Sequence, residues 1–117
     1  IHDNVANDFG GGLSIDGTAT LNNTNVYDNQ ADRGGGVSVA SGSEATLTNS
    51  NVYQNEAYID KKRGIPLWAS GGLYMNGGGL YILGTAMLTD TNVYDNQADR
   101  DGGGLLIADT GTATLTN

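Results

Sequence analysis

The chain of 117 residues has 19 glycines, one proline and no cysteine, and its 5 basic and 13 acidic residues give a formal net charge of −8. This charge argues against nucleic-acid binding, because phosphate neutralisation needs clustered Lys and Arg, and against docking on an anionic membrane surface. The lack of cysteine excludes a disulfide scaffold and thiolate metal sites. No apolar run is long enough to span a membrane, so we expect no membrane insertion of this segment, and the length favours a single domain.

Three short phrases make up the first 25 residues: IHDN at Ile1, GGGLSI at Gly10 and TATLNN at Thr18. Apolar and polar residues alternate within each phrase, so Leu13 and Ile15 share one face, which is typical of a short β-strand. Helical spacing is absent, and the polar clusters between the phrases are typical of turns. The segment therefore predicts three short strands joined by tight bends.

The same phrases return in the same order in three further segments. They read VYDN, GGGVSV and EATLTN in residues 26–51, VYQN, GGGLYI and TAMLTD in residues 52–92, and VYDN, GGGLLI and TATLTN in residues 93–117. Three strands per repeat of roughly 25 residues predict one rung of a right-handed parallel β-helix. We expect an all-β fold, a single β-solenoid segment of about four rungs (1–25, 26–51, 52–92 and 93–117), with three parallel sheets and stacked inward valines at 26, 52 and 93.

Asparagines recur at the bends of this predicted coil. A column of asparagines at one bend is expected to form a structural ladder, in which side-chain amides bond each other and the turn backbone: Asn4, Asn29, Asn55 and Asn96. Asn23 and Asn49, with Asp90 interrupting the series, are candidates for a second ladder. The glycine runs are expected to allow a tight corner and a backbone conformation that a Cβ would hinder.

In these phrases the chain resembles right-handed parallel β-helix proteins of the pectin-lyase-like superfamily, and most closely the repeats of polymorphic outer-membrane proteins and autotransporter passengers. That family alternates a GGA motif with an FxxN motif; here GGGL and GGGV stand for the first, and VYDN and VYQN stand for the second, with Val in place of Phe. The resemblance implies a secreted or surface-exposed passenger, often adhesive. We expect a non-enzymatic, extracellular or cell-surface solenoid with a structural or adhesive role.

One segment, at about 56–76, interrupts the repeat. It contains the only proline and the only tryptophan of the chain, with three of its five basic residues. Loops on a rigid scaffold often carry function, and cationic and aromatic side chains together suit glycans. The residues that we expect to contact a glycan or a host surface are Lys61, Lys62, Arg63, Trp68 and Tyr74; the alternative is a flap that covers Trp68 against the coil.

Cofactor chemistry is weakly indicated. His2, the only histidine, is expected to be an exposed substitute in a column of tyrosines, and nothing suggests a catalytic triad. We expect no cofactor and no catalytic residue. Asp3 and Asp28 share a column that could hold calcium weakly, since calcium takes oxygen ligands, although a solvated acidic face is the simpler interpretation.

Two alternatives and one expectation about partners remain. The chain could be a fragment of a polysaccharide lyase or hydrolase, which would need converging carboxylates and a base. The outward Thr18, Thr20, Thr112 and Thr114 also resemble the arrays of ice-binding solenoids, interrupted by Glu44 and Met87. The chain stops two residues short of the next expected repeat, so we expect an interior slice of a longer repeat protein or a fibre unit that self-associates by end-to-end strand pairing.

Overall fold

A computed structural model describes residues 1–58 and 77–117, and within these ranges the protein is all-β and contains no helix. Fourteen strands are described, each of two to five residues. In chain order they are β1 Leu13–Ile15, β2 Thr18–Asn22, β3 Asn25–Tyr27, β4 Gln30–Ala31, β5 Val37–Val39, β6 Glu44–Thr48, β7 Asn51–Tyr53, β8 Glu56–Ala57, β9 Leu80–Ile82, β10 Thr85–Thr89, β11 Asn92–Tyr94, β12 Gln97–Ala98, β13 Leu105–Ile107 and β14 Thr112–Thr116.

These strands form four sheets, and every pairing between them is parallel. We name the sheets by their sequence: the glycine sheet (β1-β5-β9-β13), the threonine sheet (β2-β6-β10-β14), the tyrosine sheet (β3-β7-β11) and the glutamine sheet (β4-β8-β12). Each strand pairs with its equivalent one repeat later, and the registers are in phase, for example Leu13 with Val37 and Leu47 with Leu88. The predicted all-β parallel solenoid of about four rungs is therefore confirmed.

The number of sheets differs from the sequence prediction. We expected three strands per rung, and the structure adds a fourth, the two-residue strands of the glutamine sheet. Two residues carry no recognisable alternation, so no sequence pattern predicts them. In the first rung the paired residues are isolated bridges, His2 with Tyr27, Val5 with Gln30 and Phe9 with Arg33.

The core is a set of apolar columns that run along the coil axis. Val26 and Val52 are fully buried and stack in register above Val93, which is half-buried, as the repeat predicts. Further columns join them from the glycine and threonine sheets, through Leu47, Leu80 and other residues that cluster with the valines. Burying these aliphatic side chains supplies the main stabilisation, of about 1.5–3 kcal/mol for each fully buried side chain.

One outward column is more covered than the alternation predicts. Ser14 is exposed, but the equivalent Ser38 and Tyr81 are buried. The ring of Phe9 lies 6.2 Å from that of Tyr81, and the guanidinium of Arg33 lies 4.7 Å from the Phe9 ring centroid. Part of the outer face of the glycine sheet is therefore packed rather than solvated, and burial raises the pKa of Tyr81, while Arg33 acts in the opposite direction.

The second predicted ladder is wrong. No described hydrogen bond joins the side chains of Asn23, Asn49 and Asp90; instead all three have φ between 47° and 51°. Asp3, Asp28, Gln54 and Asp95 form a second such column, with φ from 52° to 57°. Asn and Asp tolerate this left-handed conformation better than most side chains, so these columns are set by turn geometry.

Candidate functional surfaces of the coil

A ladder of asparagine side chains lies inside the bend between the tyrosine and glutamine sheets. Nδ2 of Asn4 donates to Oδ1 of Asn29 at 3.0 Å, Asn29 donates to Asn55 at 2.9 Å, and Asn55 donates to Asn96 at 3.0 Å. In each of these pairs, the backbone N–H of the donating asparagine donates to the same Oδ1 as its side chain does, at 3.0–3.1 Å. The four residues in this inner ladder are those that the repeat predicts.

The inner ladder also holds the backbone of the bend. Nδ2 of Asn55 donates to the carbonyl of Val26 at 3.0 Å, and Nδ2 of Asn96 donates to that of Val52 at 2.9 Å. Asn29 and Asn55 are buried, so these bonds satisfy groups that water cannot reach. The inner ladder is therefore part of the fold and offers little to a ligand.

The glycine runs make room for this ladder. A Cβ on Gly36 would lie 2.7 Å from the carbonyl oxygen of Gly79 and 2.9 Å from Nδ2 of Asn55. Gly12 and Gly79 have the same surroundings one rung before and after. The third glycine of each of these runs is required by close approach of the next rung. The first glycine of the run serves the corner, with φ of +63° at Gly34.

A second row of amides lies on the outside of the coil, and sequence analysis missed it. Nδ2 of Asn51 donates to Oδ1 of Asn25 at 2.8 Å, and Nδ2 of Asn92 donates to Oδ1 of Asn51 at 3.0 Å. These residues begin the strands of the tyrosine sheet, one position before the inward valine. The sequence signal for this row is the asparagine that precedes every VY pair. It was not recognised because an asparagine before a strand is also typical of a turn.

Beside this outer amide row, aromatic rings stack along the same sheet. Ring centroids are 4.7 Å apart between His2 and Tyr27, and 5.0 Å apart for the pairs Tyr27–Tyr53 and Tyr53–Tyr94. The planes of the tyrosines differ by 5–7°. The sequence predicted His2 to be an exposed member of this column, and it is exposed. His2 Nδ1 also lies 2.7 Å from Oδ2 of Asp3.

The central ring of the stack is electrostatically perturbed. Desolvation raises the pKa of Tyr53 above its ordinary value of 10.0, and the neighbouring Tyr27, Tyr94 and Asp28 raise it further. Both faces of Tyr27 and Tyr53 are occupied by neighbouring rings, so the edges and hydroxyls of these two tyrosines are what a partner can reach.

Carboxylates line a groove of about 470 Å³ beside the turn that follows the tyrosine sheet. Its walls are Asp3, Val5, Asp28, Gln30, Gln54 and Glu56. Nε2 of Gln30 donates to Oε2 of Glu56 at 2.9 Å, so these two wall residues are bonded to each other. Within residues 1–58 and 77–117, no three His, Cys, Asp or Glu side chains group as metal ligands, so calcium between Asp3 and Asp28 stays a prediction that rests on two carboxylates.

The outer face of the threonine sheet presents three columns of four residues. Nine of the twelve positions are threonine; the exceptions are Asn22, Glu44 and Met87, the last of which is half-exposed. β-Strands favour threonine whatever their function. The ice-binding alternative therefore stays a prediction, with Glu44 and Met87 interrupting two of the three columns.

The two ends of the coil differ. At the C-terminal face, Leu115 is 63% exposed and Ile107 is 44% exposed, whereas their equivalents at the N-terminal face, Leu21 and Ile15, are 7% and 4% exposed. A groove of about 500 Å³ opens at the C-terminal face, lined by Leu88, Thr91, Asn92, Val93, Tyr94, Leu115 and Asn117. The groove follows the last strand of the tyrosine sheet.

The predicted ligand residues of the insertion lie outside the described residues. Lys61, Lys62, Arg63, Trp68 and Tyr74 all fall in residues 59–76, so their role stays a prediction. In the part of the chain that the structure covers, no helix is long and apolar enough to cross a membrane.

The fold and these surfaces define the protein as a parallel β-solenoid repeat protein. Comparison with known proteins adds no relative, since no family model, no curated protein and no solved structure matches the chain. The right-handed sense of the coil and the pectin-lyase-like resemblance therefore stay predictions.

Proposed function

We propose that this chain is a non-enzymatic, extracellular or cell-surface β-solenoid with a structural and adhesive role, of the autotransporter-passenger kind that its repeats resemble. The observation that carries the proposal is the repetition of the same outer groups at every rung of the tyrosine sheet, at a ring spacing of 5.0 Å. Catalysis needs groups that converge on one reacting atom. A regular row instead suits a partner that repeats along its own length.

The chemistry of this outer surface favours a hydroxyl-rich polymer such as a glycan. An amide nitrogen carries two hydrogens and its oxygen two lone pairs. Within the outer amide row, Asn51 uses one hydrogen toward Asn25 and one lone pair toward Asn92. One donor and one acceptor are left for a partner, beside the edges of the stacked tyrosines.

The test is a glycan-array screen of the 117-residue chain beside a double variant, Asn51→Ala with Tyr53→Ala. A matched control, Thr46→Ala with Thr48→Ala, removes two outward side chains of the same rung from the threonine sheet. We expect the first variant to lose about tenfold in affinity, which corresponds to about 1.4 kcal/mol of lost hydrogen bonding and contact. The control should bind as the unmodified chain does.

Three other results would count against this function. Equal binding by both variants would exclude the outer surface, and loss of binding only on deletion of residues 57–75 would move the site to the insertion. Shortening of the bound glycan would favour the runner-up, a polysaccharide-active enzyme, whose support is the three carboxylates in the groove at Asp3, Asp28 and Glu56.

A further inference from the structure

Three phenol rings on the outer face of the tyrosine sheet share one spacing and one orientation. The ring centroids of Tyr27 and Tyr53 lie 5.0 Å apart with their planes inclined at 7°, and those of Tyr53 and Tyr94 lie 5.0 Å apart at 5°. Each ring leaves the same position of a strand, and these strands pair in register. Equivalent carbon atoms of neighbouring rings therefore lie about one ring spacing apart.

These rings are also open to solvent at their edges. Tyr27 and Tyr53 are half-buried, and Tyr94 is exposed. Tyr81, on the outer face of the glycine sheet, is instead buried, and its ring lies beside Phe9 rather than beside another tyrosine. The tyrosine sheet therefore combines access for a small oxidant with a second phenol at a fixed distance.

Phenols in this arrangement suit oxidative coupling. Removal of one electron and the hydroxyl proton from a tyrosine leaves a phenoxyl radical, whose unpaired electron is shared with the two Cε carbons. Two such radicals join through a Cε–Cε bond, and in each ring the hydrogen of the coupled carbon then moves to the oxygen. With hydrogen peroxide as the oxidant, two tyrosines and one peroxide give one dityrosine and two molecules of water.

We propose that Tyr53 is the centre of an oxidative cross-linking site, at which it is joined to Tyr27 or to Tyr94 as dityrosine. The oxidant is of the haem-peroxidase class: the peroxidase takes one electron from each phenol, and hydrogen peroxide accepts the electrons. The released protons end in the water that the peroxide forms. This inference goes beyond the proposed function and does not depend on glycan binding.

The fixed spacing favours coupling within one chain. Holding two reacting groups beside each other replaces a collision between molecules and raises the effective concentration of each group around the other. Rotation of the rings at the surface has only to bring two Cε carbons from one ring spacing to bonding distance. Within the described residues, Tyr53 alone has a tyrosine ring on both faces, while Tyr27 and Tyr94 are two ring spacings apart. Either link therefore requires the Tyr53 phenol.

The new bond joins neighbouring rungs covalently. Tyr27, Tyr53 and Tyr94 end the strands β3, β7 and β11, so each link crosses one strand pairing of the tyrosine sheet. A cross-link restricts the unfolded chain, as a disulfide does, and the restriction grows with the length of the closed loop. We expect the oxidised chain to unfold at a higher urea concentration than the untreated chain.

The experiment treats the 117-residue chain, at high dilution, with a haem peroxidase and limiting hydrogen peroxide. Dityrosine fluorescence, intact mass and peptide mapping identify the product. We expect a single chain that has lost two hydrogens, with its link at Tyr53. Tyr53→Phe keeps a ring in the stack but removes the phenol, and should lose nearly all of the dityrosine. The matched control Tyr81→Phe should form as much dityrosine as the unmodified chain.

A second set of measurements tests the role of the stack. The double variant Tyr27→Phe with Tyr94→Phe should form no link, whereas each single change should leave the link to the other neighbour. Undiminished dityrosine in Tyr53→Phe overturns the proposal. So do links that join only separate chains, with a yield that falls on dilution, and equal coupling of the chain in urea, where the rings are not stacked. Glycan binding of the untreated chain is measured separately, so failure here leaves the adhesive role standing.

Discussion

The inner ladder and the outer amide row consist of the same side chain, repeated rung by rung at the two ends of the tyrosine-sheet strands. Asn29 and Asn55 are buried, and their amides bond one another and the bend backbone. Asn25 and Asn92 are exposed, and the described bonds of their amides run only along the row. The difference teaches that a repeated residue indicates a column, while burial decides whether that column stabilises the fold or presents a surface.

The sharpest way to break this comparison is to truncate one member of each row in the same rung. Asn55→Ala removes the acceptor of Asn29 and the donor to the Val26 carbonyl, and leaves several buried groups unsatisfied. At about 1–3 kcal/mol for each such group, we expect a loss of about 3–5 kcal/mol in the free energy of unfolding. Urea denaturation measures it.

Asn51→Ala is the matched control for that truncation. Water replaces the lost hydrogen bonds at the surface, so we expect the free energy of unfolding to change by no more than about 0.5 kcal/mol. Equal losses in the two variants would show that burial does not separate the two rows.

A methyl group added to a glycine that faces the inner ladder tests how closely the ladder is packed. Gly36→Ala places a Cβ within 3 Å of the Gly79 carbonyl and the Asn55 amide, so the inner ladder must shift. Overpacking of this kind costs about 1–3 kcal/mol, and we expect a value in that range from urea denaturation. Gly104→Ala, the equivalent change in the last rung, should be close to neutral in a single chain; a cost as large as that of Gly36→Ala would contradict the steric account.

The smallest effect that we expect is a change in stability at alkaline pH, which arises from the tyrosine stack. The pKa of Tyr53 is raised in the folded chain, above its ordinary value of 10.0. The unfolded chain then loses this proton first, so the stabilisation is complete below pH 10.0 and falls as the pH rises toward the folded pKa. In thermal unfolding, the melting temperature of the Tyr53→Phe variant should therefore fall less steeply above pH 10 than that of the unmodified chain. The melting temperature of Asn51→Ala should fall as steeply as that of the unmodified chain. Parallel curves for all three proteins would refute this contribution.

Sequence reasoning reached the inner ladder because Asn4, Asn29, Asn55 and Asn96 stand three residues after an aliphatic anchor in every repeat. It missed the outer row because Asn25, Asn51 and Asn92 stand directly before the VY pair, at the edge of the predicted strand, where asparagine also serves turns. It misassigned Asn23 and Asn49, because spacing alone does not distinguish a bonded column from a column of left-handed turns. The two-residue strands of the glutamine sheet were beyond prediction, since their pairing depends on the neighbouring rung.

The opposite directions of the two amide rows have an electrostatic consequence. Inner amides donate toward the C-terminal end of the coil, and outer amides donate toward the N-terminal end. Each amide carries a dipole, and dipoles aligned head to tail add along a row. The moments of the two rows oppose each other, so each added rung contributes nearly cancelling terms. Lengthening the coil therefore extends both rows without building an axial field from them.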